Sequence, residues 1–246
     1  MTTHTVLHNL IFGCLLVFFI QWVFLGDLRS AVIVSINIPF ALFFSIMMLV
    51  LTGESANLLS LGAVDFGIIV DAAVILVENI FRNFQRQPAI RAAMLRDMAK
   101  GADGARTQPS DGWTTRLRMI YLSATQVDSS VLFSTCITIA AFTPLFAMQG
   151  VEGQIFGPMA RTYGYALAGA LIATFTITPV LASYLLPGKI EEKETFVVHA
   201  IHRIYEPALS WVLKNARLVV LMGMVALAGG ALMATQLGSE FLPALE

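Results

Sequence analysis

Charge is what this sequence has least of. Only 13% of its 246 residues are Asp, Glu, Lys or Arg, about half the share in an ordinary soluble domain. With a net charge of −1, it has no basic field to attract nucleic acid. Cysteine is almost as scarce. Cys14 and Cys136 are the two present, both inside apolar runs, which excludes a disulfide or metal framework built on thiols and predicts buried, inert side chains. The opening MTTHTVLHN has no Lys or Arg and makes a poor leader n-region. Methionine is absent between Met48 and Met94.

What the chain does have is apolar length. Hydrophobic residues make up 57% and the mean hydropathy is +0.76. Crossing ~30 Å of hydrocarbon takes about 20 apolar helical residues. Six stretches qualify: Leu7–Leu25, Ala31–Leu51, Leu58–Ile80, Val127–Met148, Pro158–Leu186 and Leu218–Leu237. Backbone groups in lipid must be satisfied internally, so each is expected to be a helix. The fold class is therefore an all-α polytopic membrane bundle. Alternating the spans puts every Lys and Arg except Arg161 on one side, which the positive-inside rule makes cytoplasmic. Both termini then lie outside, on the periplasmic side.

Residues 1–190 would hold the first five spans, with a cytoplasmic loop over 81–122. Within that loop Pro88–Lys100 reads as a short surface helix, followed by the polar turn-rich GADGARTQPSDGWTT. In segment 191–216, Val197, Ile201, Ile204, Ala208 and Val212 recur at helical period between Thr195 and Leu213. This predicts an amphipathic helix lying in the membrane interface, against lipid. Residues 217–246 would add the sixth span and the start of a further, truncated periplasmic domain; the chain is expected to be a piece of a longer protein. Pro39, Pro144 and Pro179 lie in or near spans and are expected to bend helices. Gly164, Ala168 and Gly169 are expected to permit close helix packing.

The third span carries three acids in GAVDFGIIVDAAVILVEN: Asp65, Asp71 and Glu78. Each ionised acid at mid-membrane costs about 2.5–3.5 kcal/mol on insertion scales. Asp71 falls mid-span with no base near it in sequence, so it is expected to face protein or water and to move protons or ions. Asp65 lies about 9 Å away along the axis and about 120° around it. It could instead bond backbone near the outer surface. Glu78 shares the face of Asp71 near the cytoplasmic end and could pair with Arg82 at i+4. A charge crossing 100 mV releases about 2.3 kcal/mol, which a cyclically protonated carboxylate could harvest. Two readings of these acids from other classes are weaker. An intramembrane aspartyl protease needs two aspartates facing each other from different helices, and Asp65 and Asp71 share one; Asp128 is the only other candidate. The tripeptide DFG at 65–67 lacks every other kinase motif.

NLLSLGAVDFGIIVDAAVILVENIFR resembles the fourth helix of resistance–nodulation–division (RND) exporters of the heavy-metal efflux branch. PLFAMQGVEGQIFGPMARTYGYALAGALIATFTITPVLASYLLP resembles the hairpin of that family's fifth and sixth helices. FLGDLRSAVIVSINIPFAL and LGSEFLPALE resemble its second-to-third turn and the exit of its seventh helix. The resemblance implies the second to seventh helices of a twelve-helix subunit. The remaining half of the transporter, including a proton-relay lysine, would lie outside this chain. It implies a proton-driven cation/proton antiporter of the bacterial inner membrane, not an enzyme and with no cofactor beyond the proton gradient. It further implies a homotrimer working with a periplasmic adaptor and an outer-membrane channel. Asp71 matches the family's central proton-carrying aspartate, and Asp65 and Glu78 its flanking acids.

Ala72 stands where drug-exporting relatives carry a second aspartate, favouring metal over organic substrates. Without methionines along this helix, soft Cu(I) or Ag(I) lack thioether ligands, favouring a divalent cation. No metal-ligating residues are identifiable. An exporter of drugs, or a truncated product that inserts but transports nothing, are the alternatives. The loop near Gly101–Thr115 is longer than the family pattern.

Overall fold

A computed structural model describes residues 2–53, 66–100, 112–187 and 195–234. Among these residues the secondary structure is helical throughout, without a strand. The elements are α1 (Thr2–Leu25), α2 (Leu28–Leu51), α3 (Phe66–Gln85), α4 (Pro88–Lys100), α5 (Thr115–Ala141), α6 (Thr143–Phe146), α7 (Gly150–Leu185), α8 (Phe196–Lys214) and α9 (Ala216–Ala234). The all-α reading of the sequence therefore holds. Five of the helices are long and apolar enough to cross a membrane. The third expected span, Leu58–Ile80, is described only from Phe66 onward.

Two adjacent residues make the α1–α2 hairpin. Gly26 has φ 68°, a left-handed conformation that closes α1 at low cost only for glycine. Asp27 then caps α2: its carboxylate accepts the Ser30 backbone N–H at 2.9 Å and the Ser30 hydroxyl at 2.8 Å. One residue satisfies an otherwise orphaned donor at the helix start. Helix α5 is capped in the same manner by Thr114 and so begins at Thr115, well before the apolar stretch that starts at Val127. It absorbs the end of the expected 81–122 loop, and α4 occupies Pro88–Lys100 inside it.

The chain divides into two compact units, residues 1–195 and 196–246. In the first, α2 packs most extensively on α7, and α3 lies against α2, α5 and α7. Ile33, Ile38, Leu76, Ile80, Met119 and Leu186 fill the interior. Polar groups inside it are paired between helices. Asn37 donates to the Thr178 hydroxyl at 3.1 Å, and that hydroxyl is 3.2 Å from Asn37 Oδ1. The Ser45 hydroxyl donates to the Thr162 carbonyl at 2.9 Å. Pairing is necessary because a buried unpaired polar group costs several kcal/mol in hydrocarbon.

Two arginines finish α7. Arg116 donates to the carbonyls of Ala182 and Leu186, and Arg29 to Leu185 at 3.2 Å. Cations there satisfy the last carbonyls and oppose the helix dipole.

Gly169 meets the expectation of close packing, since a side chain there would run into Phe44; Gly164 does not, having open space around it. Cys136 is exposed rather than buried. It lies on the outer face of α5 with Phe133 and Ile137, an apolar surface suited to lipid. Cys14 is half-buried, and neither thiol is in a disulfide.

In the second unit, α8 spans nearly the segment expected to be amphipathic and buries no side chain. Phe196, Ile204 and Leu213 are among its exposed apolar residues, and α9 likewise exposes Leu227 and Met233.

Candidate functional site

Helix α3 places Asp71 on the surface that faces away from the core residues Ala73, Leu76 and Val77. Asp71, Ile75, Glu78 and Arg82 recur at three- or four-residue spacing, so they share one face. Ile75 is exposed, and Ala72 behind Asp71 is buried. Asp71 opens into a pocket between three helices. Helix α5 contributes Ser134, Thr135 and Thr138, and α7 contributes Leu167, Ala170 and Leu171. The cavity volume is about 30 Å³; a water needs about 10–15 Å³ on this measure. Roughly two waters therefore fit beside the carboxylate, with hydroxyls available to hold them.

The other sequence-identified acids behave differently. Glu78 Oε1 lies 2.6 Å from Arg82 Nη2, with the two side chains 40% and 71% exposed. This is the i+4 pair anticipated from the sequence. Asp65 lies outside the described residues. Asp128 accepts the Ser129 backbone N–H at 2.6 Å and is not among the residues lining the pocket of Asp71. Among the described residues no second aspartate from another helix lines that pocket, as a protease dyad would need. Among the described residues no group of three or more His, Cys, Asp and Glu is placed to hold a metal ion.

A polar cluster that sequence reasoning missed lies toward the Arg82 end of α3. Asn79 Nδ2 donates to the Ser123 carbonyl at 2.7 Å and to Gln126 Oε1 at 3.2 Å. Asn83 Nδ2 donates to the Ser123 hydroxyl and to Gln126 Oε1, each at 2.9 Å. The i+4 spacing of Asn79 and Asn83 was a usable signal. Their partners on α5, some 40 residues on, were not readable from local pattern.

The whole chain, residues 1–246, matches the family model described as the AcrB/AcrD/AcrF family. The chain belongs to the AcrB/AcrD/AcrF family. It is 35% identical over 241 residues to the cobalt-zinc-cadmium resistance protein CzcA of Cupriavidus metallidurans, covering 98% of this chain and 21% of the relative. It is also 35% identical over 246 residues to protein HelA of Legionella pneumophila, covering 100% of this chain and 22% of that protein. The crystal structure of a heavy metal efflux pump superposes with a TM-score of 0.71 at 32% identity, covering 100% of this chain and 21% of that one. The chain thus spans about a fifth of the length of these relatives.

Proposed function

We propose that this chain is membrane machinery of a proton-driven exporter of heavy-metal cations, with Asp71 as the proton carrier. The carrying observation is a carboxylate in a polar pocket of water size, set in a bundle of apolar helices. An acid in a membrane-spanning helix is costly unless it faces protein or water, and the pocket gives Asp71 protein to face and room for water. Because Ala72 is buried and apolar, the position next to Asp71 adds no second charge.

The mechanism follows from charge. As a carboxylate, Asp71 needs water, the pocket hydroxyls and a cation from the remaining half of the transporter. A proton arriving from the outer side removes that need, so the packing of α3 against its neighbours changes. Release of the proton to the inner side restores it. Glu78, tied to Arg82, anchors the cytoplasmic end of the helix on which Asp71 rides. By the family resemblance Asp65 is the other flanking acid.

The name of the cobalt-zinc-cadmium relative supports a divalent cation as cargo. On this reading the intact protein is a homotrimer in the bacterial inner membrane, with the arginine-rich end of α3 and α5 cytoplasmic. A periplasmic adaptor and an outer-membrane channel complete the export route. The protein works by transport, without catalysis or a cofactor, and α8 lies against the lipid headgroups.

The test is Zn²⁺ flux by the intact transporter in proteoliposomes, with and without a membrane potential. Losing one coupled proton removes about 2.3 kcal/mol at 100 mV, roughly a 40- to 50-fold smaller attainable metal gradient. Asp71→Asn is expected to show that loss and Asp71→Glu to retain coupling. Wild-type flux in Asp71→Asn refutes the proposal.

A further inference from the structure

The pocket at Asp71 and the polar cluster at Asn79 and Asn83 both lie between α3 and α5. Helix α5 carries Ser123, Gln126, Ser130, Ser134 and Thr138 at spacings of three and four residues, which places them along a single face. Ser134 and Thr138 line the pocket. Ser123 and Gln126 bond Asn79 and Asn83. Ser130 lies between. From Ser134 to Gln126 is about 12 Å along the helix, as is Asp71 to Asn79 on α3.

Two details set this seam apart from ordinary polar packing. Hydroxyls in these apolar helices usually bond back to the carbonyl four residues earlier, as Ser123, Thr135, Thr138 and Thr174 do. The hydroxyls of Ser130 and Ser134 make no hydrogen bond to another described residue, yet both residues are exposed, and Ser134 lines the pocket of Asp71. At the far end, Asn83 Oδ1 is buried without a hydrogen-bond partner among the described residues. Buried acceptors of this kind are normally satisfied by ordered water.

We infer that the α3–α5 seam, running from Asp71 past Ser134 and Ser130 to Gln126, Asn79 and Asn83, is a hydrated track that carries the proton from Asp71 toward the arginine-rich end of the bundle. The inference rests on Asp71 being the proton carrier. The Asp71 carboxyl gives its proton to water, becoming a carboxylate, and the excess proton passes along hydrogen-bonded waters. The hydroxyls and carboxamides hold those waters and are not themselves ionised. The knot of Asn79, Asn83, Ser123 and Gln126 closes the inner mouth of the track, so the proton passes only when water threads it.

Two measurements on the intact transporter test this. In a variant lacking Cys14 and Cys136, cysteines are placed singly at Ser130, at Ser134 and, on the opposite face of α5, at Leu132. Thiols react with N-ethylmaleimide as thiolates, which need water, so Ser130→Cys and Ser134→Cys should label at least about tenfold faster than Leu132→Cys. In proteoliposomes, Ser130→Val should slow proton release severalfold with zinc affinity unchanged, and Ser130→Thr should preserve the rate. Labelling no faster than at Leu132→Cys, or wild-type proton release in Ser130→Val, overturns the track. If Asp71→Asn abolishes proton flux in the same assay while these results fail, the carrier stands and the track alone falls. Should Asp71→Asn keep its proton flux, the carrier reading fails and takes the track with it.

Discussion

Gly169→Ala is the sharpest probe of how α7 holds the pocket. A Cβ built at Gly169 would lie 2.8 Å from both Cβ and Cδ1 of Phe44 and 2.9 Å from its Cγ. Ordinary carbon–carbon contact is about 3.5–4.0 Å, so the groups must part by roughly 1 Å. The ring can swing, but the Phe44 Cβ is fixed to the α2 backbone. The two helices themselves therefore have to separate. Overpacking of this kind costs about 1–3 kcal/mol. Against it stands a helix-propensity gain of about 0.5–1 kcal/mol for replacing glycine by alanine.

Gly164, on the same helix, supplies the control. Nothing lies within 4 Å of a Cβ there, so Gly164→Ala should show the propensity gain alone. The two variants should thus differ by about 1–3 kcal/mol, or about 5- to 150-fold in amide exchange of α2 and α7. Hydrogen exchange read helix by helix in the intact transporter measures this directly, where a single unfolding free energy for a multidomain protein would not. Gly169→Ala should also impair transport, because Leu167, Ala170 and Leu171 of α7 wall the pocket of Asp71. Equal exchange in the two variants would refute the packing argument.

Asp27→Ala removes the cap that holds Ser30 and should cost α2 about 1 kcal/mol, seen as faster exchange confined to its first turn. Glu78→Gln breaks an ion pair whose partners are both well exposed. It should change amide exchange in the last turns of α3 little, by less than about 0.5 kcal/mol, and less still at high salt.

Much of this architecture was legible because lipid imposes simple rules. Long apolar runs become helices, and the ends of α1, α2 and α7 fall close to where the apolar stretches stop. The periodic apolar face of 195–213 and the proline at 88 marked α8 and α4 for the same reason. Helix α5 begins before the apolar stretch that marked its span, because its first turns are polar. They are helical through the Thr114 cap and through burial of Met119 and Ile120, neither of which hydropathy registers.

The site was legible in part. Asp71 stood out because a charge has no place in an apolar run, and the pairing of Glu78 with Arg82 is local. Its surroundings were not legible: Ser134, Thr135 and Leu167 reach the pocket only once α5 and α7 pack on α3. Gly164 and Gly169 show the same limit. Both are small residues in one motif, and only the tertiary neighbour Phe44 tells them apart. The burial expected of Cys136 failed likewise, because an apolar run does not say which of its faces the neighbouring helices cover.

The claim on which the account depends is that Asp71 gains and loses a proton in the working protein. Infrared difference spectroscopy of the intact transporter, taken between the acidic and alkaline ends of the pH range that drives export, reads carboxyl protonation directly. A protonated-carboxyl band that appears at low pH and is missing in Asp71→Asn is the predicted result. Identical spectra from the wild type and Asp71→Asn across that range would contradict it.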